Sequence, residues 1–155
     1  MTGVRVCFVD TYVLRPAGGS FEVLALRRGA SGRCPGSWET VHGTIEPGET
    51  PVHASRREMH EETGLEPVRV YNVSRVEAFY QHRTDEVALI PAFAAFVAPA
   101  AEPRLSSEHD DFAWLPLADA ARRFSWPREH RALADILSIL GGGDGGLLDD
   151  VLRVC

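Results

Sequence analysis

GTIEPGETPVHASRREMHEETGL, residues Gly43 to Leu65, carries the strongest structural signals in the chain. Thr50 is a hydroxyl residue at a natural N-cap position. Pro51 follows at the first helical position, where its missing N–H is no loss. Gly64 is a favoured residue just past a helix end. This punctuation predicts a helix from Thr50 to about Thr63. Within it Val52, Ser55 and Met59 recur at helical spacing and are expected to face a sheet. Glu58 lies one turn from both Glu61 and Glu62, so three carboxylates share adjoining sectors of the helix. Such a cluster repels itself, and Arg57 alone cannot neutralise it. Hard divalent cations prefer carboxylate oxygens and often bridge to substrate phosphates, so Mg²⁺ or Mn²⁺ is the expected counter-charge. The competing reading is a solvated acidic face paired to lysines or arginines.

On either side of this helix the chain reads mostly as strands. Val4 to Val13 is apolar and β-branched, a turn falls at Pro16 to Gly19, and Phe21 to Leu26 completes a hairpin. Gly29 to Gly36 is a loop, Trp38 to Val41 a short strand, and Gly43 to Gly48 another loop. After the helix, Val68 to Val76, Ala78 to Gln81, Glu86 to Val97 and Asp111 to Leu115 read as strands. Leu117 to Arg123 and Pro127 to Leu140 read as helices, the second amphipathic through Leu133, Ile136, Leu137 and Leu140. Strands mixed with three helices predict an α/β sandwich. Residues 1–140 are expected to form one domain. Residues 141–155 are expected to be a Gly-rich linker and a short apolar C-terminal tail that docks on the domain or on a partner.

Composition bounds the partners. The chain of 155 residues is 45% hydrophobic and 25% charged, ordinary for a globular protein, with a formal charge of −6. That charge argues against nucleic acid polymers and anionic membranes, but not against a small anionic substrate held through a metal. Cys7, Cys34 and Cys155 are odd in number and far apart, so neither a disulfide framework nor a zinc knuckle is expected. No apolar run reaches membrane-spanning length and the N-terminus does not read as a signal peptide, which together predict a cytoplasmic protein.

The decisive stretch resembles the Nudix box, G-x5-E-x7-R-E-U-x-E-E-x-G-U with U apolar. Gly43, Glu49, Arg57, Glu58, Met59, Glu61, Glu62, Gly64 and Leu65 fill every specified position. The resemblance implies a Nudix-type α/β/α sandwich with a mixed central sheet, and metal-dependent hydrolysis of a diphosphate linkage. It implies that Glu58, Glu61 and Glu62 bind metal, that Gly43 lies near it through its backbone, and that Glu49 and Arg57 hold the loop against the helix. Glu61 or Glu62 would also assist proton removal from the attacking water. Arg27 and Arg28 are candidate phosphate ligands. Trp38, Phe79 and Tyr80 are candidate ring-stacking residues, with core packing as the alternative.

Further segments refine the likeness. Gly36-Ser37-Trp38, Val41-His42-Gly43, Ser107-Glu108-His109-Asp110, Phe112-Ala113-Trp114-Leu115 and Ser125-Trp126 look like the bacterial dihydroneopterin triphosphate or dATP pyrophosphohydrolase group. That group implies pyrophosphate and a monophosphate as products, and a glutamate at the Glu108 position that reaches the metal site, with His109 helping to position it. Tyr80, sixteen residues past Gly64, resembles instead a marker of diadenosine polyphosphate hydrolases. A nucleotide-binding domain without turnover is the third reading, disfavoured by the intact carboxylates. The expected partner is a small nucleotide-like substrate, with a homodimer as a further option.

Overall fold

The computed structural model describes residues 1–155 and contains eight strands and four α-helices. In order these are β1 (Gly3–Val6), β2 (Phe8–Ala17), β3 (Ser20–Arg28), β4 (Trp38–Glu39), β5 (Val41–Thr44), α1 (Pro51–Thr63), β6 (Arg69–Gln81), β7 (Glu86–Phe96), β8 (His109–Pro116), α2 (Leu117–Arg123), α3 (Pro127–Leu140) and α4 (Asp149–Leu152). The strands form one mixed sheet. β7 runs parallel to β1 and β2 and antiparallel to β6, while β3 runs antiparallel to β2, β4 and β8. β5 pairs antiparallel with the first half of β2, from Phe8↔Thr44 to Thr11↔Val41.

Alternation along the central strands feeds two cores. Val9, Val13, Leu24, Leu26, Phe93 and Ala95 point to one side and pack under Ala54 and Met59 of α1. Tyr12, Leu14, Val23, Ala25, Ala94 and Phe96 point to the other and pack under Leu133, Ile136 and Leu140 of α3. A sheet apolar on both faces must be covered on both, which gives the α/β/α sandwich.

α1 is punctuated as expected. Thr50 Oγ1 accepts from the His53 N–H at 3.3 Å, and Gly64 takes φ +67° while its N–H donates to His60 O. Several details differ from the sequence reading, the first being that Val4 to Val13 is divided at Cys7 between β1 and β2. Gly43 and Thr44 belong to β5 rather than to a loop, because they pair with Val9 and Phe8. The stretch from Val68 to Gln81, read as two strands, is one strand with a bulge between Asn72 and Val76, where Ser74 adopts φ +55°. Leu137 is 59% exposed, unlike its neighbours on the apolar stripe of α3. The last residues fold back onto β6. Leu152 enters the α3-side core, Asp149 accepts from the Tyr71 hydroxyl at 2.8 Å, and the Val154 N–H donates to Val70 O at 2.8 Å.

Candidate active site

The helix presents its carboxylates in three different settings. Glu62 is 2% exposed, and neither of its oxygens has a hydrogen-bond partner. Burial first, then the charges of Glu108, Glu39 and Glu58, push its carboxyl well above the usual range. Glu58 is half-buried, and its carboxyl is raised by burial against the opposing pull of Arg57. Glu61 is more than half exposed and pairs with Arg57 at 3.2 Å. It stands on the rim, apart from the buried group.

Arg57 ties these parts together. Its guanidinium donates to Glu49 through Nε and Nη2, both at 2.9 Å, to Thr44 O at 2.8 Å, and to Glu58 at 2.9 Å. The loop from Thr44 to Glu49 is thereby fastened to α1, and Glu49 is held down at about 2, first by its bond to Arg57. Gly43 explains why the preceding strand can approach so closely. A Cβ there would lie 2.0 Å from Cδ of Glu58, so only glycine lets the β5 backbone lie against that carboxylate.

The connection into β8 closes the site from the other side. Ligand atoms of Glu62, Glu108 and His109 all lie within 4.8 Å of one another. Glu108 is exposed, while His109 is buried with Nε2 3.0 Å from Glu39 Oε1 and Nδ1 without a partner. Glu39, on β4, also accepts from Arg28 Nη1 at 3.0 Å, and these two partners together outweigh burial and keep it ionised. No local signal points to Glu39. It is a single acid in a short strand, and its role exists only through residues of β3 and β8.

These donors suit a hard divalent cation. The ligands at hand are chiefly carboxylate oxygens, and the two orphaned oxygens of Glu62 are the buried polar atoms such an ion would satisfy.

A cleft of about 1010 Å³ opens beside Glu39 and His42, both of which line it. Phe8 packs between His42 and Phe79, with ring centroids 5.2 Å and 6.2 Å apart. Opposite them stand Trp126 and Arg128, with Arg128 over the Trp126 ring at 5.2 Å. Arg128 is locked by Asp10, which is 1% exposed and accepts at 2.8 Å; the same carboxylate lies 2.7 Å from His42 Nδ1. Asp10, His42, Phe8 and Arg128 carry no site signal in the sequence, because they come from three separate elements. Among the residues expected at the site, Arg28 lines this cleft and Tyr80 borders it, with its hydroxyl donating to Asp85 at 3.0 Å. Arg27 faces away and pairs with Asp110 at 2.7 Å. Trp38 packs against the α3-side core under Arg123, so it serves the packing alternative.

Residues 8–136 match the NUDIX domain family. The chain belongs to that family. Over 122 residues it is 34% identical to an octanoyltransferase of Myxococcus xanthus, covering 74% of this chain but only 32% of that protein, so the chain spans about a third of that relative's length. Its fold is similar to that of a C. elegans Ap4A hydrolase, with a TM-score of 0.73 at 21% identity, over 87% of this chain and 97% of the other. It is equally similar to the E. coli dihydroneopterin triphosphate pyrophosphohydrolase, with a TM-score of 0.72 at 20% identity, over 89% of this chain and 99% of the other.

Proposed function

We propose that this Nudix chain hydrolyses a nucleoside or pterin triphosphate, with Mg²⁺ or Mn²⁺, releasing pyrophosphate and a monophosphate. The observation that carries the reading is the buried, unpartnered Glu62 carboxylate, grouped with Glu108 and His109, whose ring meets the Glu39 that lines the aromatic cleft. Glu58, Glu62 and Glu108 would hold the cation, with Glu61 and the Gly43 backbone at its margin. When bound, a metal supplies polarisation of the phosphoryl group, a lowered water pKa and neutralisation of the leaving diphosphate.

The rest is the work of the chain's own residues. Arg57 fixes Glu58 and the loop before α1, so those carboxylates need not reorganise during the reaction. Glu108, on the segment that leads into β8, would serve as an outer metal ligand or as the proton acceptor for the attacking water. Phe8, Phe79 and His42 form one wall for a flat ring and Trp126 the other, while Arg28 and Arg128 offer charge to the phosphates.

A screen of nucleoside and pterin triphosphates, dinucleoside polyphosphates and nucleotide sugars in ¹⁸O-labelled water tests this. Pyrophosphate and a labelled monophosphate are expected from the preferred triphosphate, and only when divalent metal is present. Full turnover in EDTA, or inorganic monophosphate as first product from every triphosphate, would overturn the reading. Preferred cleavage of a diadenosine polyphosphate would favour the reading drawn from Tyr80.

A further inference from the structure

β1, β7 and the last part of β6 form a three-stranded ribbon beyond the region that α1 covers. On this stretch β1 pairs with β7 from Gly3↔Glu86 to Val6↔Leu89, and β6 pairs with it from Val76↔Pro91 to Gln81↔Glu86. Side chains alternate across such a ribbon. Glu77, Phe79 and Ile90 look into the cleft. The opposite face carries Val4, Val6, Val76 and Leu89, with Ala78 and Tyr80 on the β6 edge, where they also border the cleft.

That face has no cover from its own chain. Val4 is 65% exposed, Val6 51%, Val76 57% and Tyr80 56%. No charged side chain interrupts it, and its one polar atom, the Tyr80 hydroxyl, is already bonded to Asp85 at the edge. Scattered exposed valines need no explanation, but a continuous apolar sheet face marks an interaction site.

We propose that this face is the interface of a two-fold dimer, covered by the same face of a second copy of the chain. Size is the first argument. The four most exposed residues alone present on the order of 400 Å² of mostly apolar surface, already comparable to the largest patch on a typical monomer. Ala78 is exposed beside them and Val87, Leu89 and Pro91 are half-buried on the same face, so the apolar patch is large enough to be the centre of an interface of ~800 Å² per partner. Composition is the second. Partners that meet and part carry polar and charged groups within their contact, whereas homodimer interfaces are more apolar at the centre, as here. Shape is the third. A twisted sheet face is its own complement in a face-to-face pair, and a two-fold axis uses each residue twice. The consequence reaches the cleft, because the same hairpin supplies Phe79 and Glu77 on its other side. Dimerisation would clamp a wall that has packing on one face only. The inference stands independently of the hydrolase reading.

Analytical ultracentrifugation of the full chain at tens of micromolar is the test. The wild type should sediment at twice the chain mass of 17.0 kDa. Val4→Asp and Val76→Asp should each sediment as monomers, with far-UV circular dichroism unchanged. Val151→Asp, an exposed apolar residue of the tail away from the face, should remain dimeric. If either aspartate variant fails to fold, Val4→Ser takes its place and should weaken the dimer at least tenfold. A wild type that is monomeric throughout, or a dimer that survives both substitutions on the face, overturns the proposal.

Discussion

Burying the Glu62 carboxylate with neither oxygen hydrogen-bonded is unfavourable, and the nearby His42 backbone offsets burial only in small part. Its folded-state carboxyl is raised, chiefly by burial. In the metal-free protein its contribution is therefore favourable below the unfolded pKa and is lost as pH rises through the folded one. It follows that Glu62→Gln in EDTA at neutral pH should melt higher than the wild type, by about 2–4 °C for each kcal/mol relieved in a chain this size. Saturating Mg²⁺ should reverse the order, because only the wild type binds the ion, and turnover of the variant should fall ~10²-fold or more. A lower melting temperature for the variant in EDTA would mean that Glu62 has a protein partner after all. Glu108 invites a cleaner kinetic comparison, being exposed. Glu108→Gln should lower kcat strongly with little change in stability, whereas Glu102→Gln, whose carboxylate only meets Arg15 at the surface, should match the wild type. Equal turnover of the two at saturating metal would return Glu108 to a plain surface acid. The helix carboxylates could be read from sequence because their spacing is local. Glu39 could not, since its meaning depends on Arg28 and His109, brought to it by strand pairing.

Elements were legible where their signals were local, and misread where they were not. Thr50, Pro51 and Gly64 each act within a turn of their own position, so the bounds of α1 followed from them directly. The bulge in β6 is different. Ser74 interrupts the alternation of apolar residues, and a phase change in sequence looks the same whether a strand ends or bulges. Only pairing with the continuous β7 distinguishes the two. At the start of α3, Glu129 is fully buried and accepts from the Thr40 N–H at 2.6 Å and the Trp126 N–H at 3.3 Å. These bonds favour the ionised form, yet burial dominates and its carboxyl is pushed up to about 8. The unfolded chain releases this proton near 4.5, the folded one near 8. The sign follows: the contribution is full below the unfolded value and lost as pH rises towards the folded one. Relative to Glu129→Gln, the wild type should lose stability across that window, at up to about 1.4 kcal/mol per pH unit. Melting curves of both proteins at several pH values give the difference. A difference that stays constant would show Glu129 ionised throughout.

At the scale of the whole molecule, the cleft was the least legible feature, because its walls come from β2, β5, β6 and α3 and no local spacing relates Phe8 to Trp126. The tail belongs to the same scale, since its effect depends on where it docks. It meets β6 at Val70 and Tyr71, on the outer edge of the sheet, while the carboxylate group lies at the ends of α1, β4 and β8. Leu152 is 6% exposed and packs into the α3-side core, and the backbone bonds at Val70 cover part of a strand edge that would otherwise be open. Truncating such a leucine typically costs 2–5 kcal/mol, with the lower end expected here because a short terminal segment can shift to fill the space. Leu152→Ala should therefore lower the melting temperature by roughly 4–8 °C, at about 2–4 °C per kcal/mol. It should leave kcat and KM unchanged well below that temperature, because Tyr71 and Leu152 touch neither the carboxylates nor the cleft. Thermal melts and steady-state kinetics on the same preparation separate the two effects. A variant that melts like the wild type would show the tail to be only loosely docked, and one that loses activity at low temperature would show that β6 transmits the tail's position to the Phe79 wall.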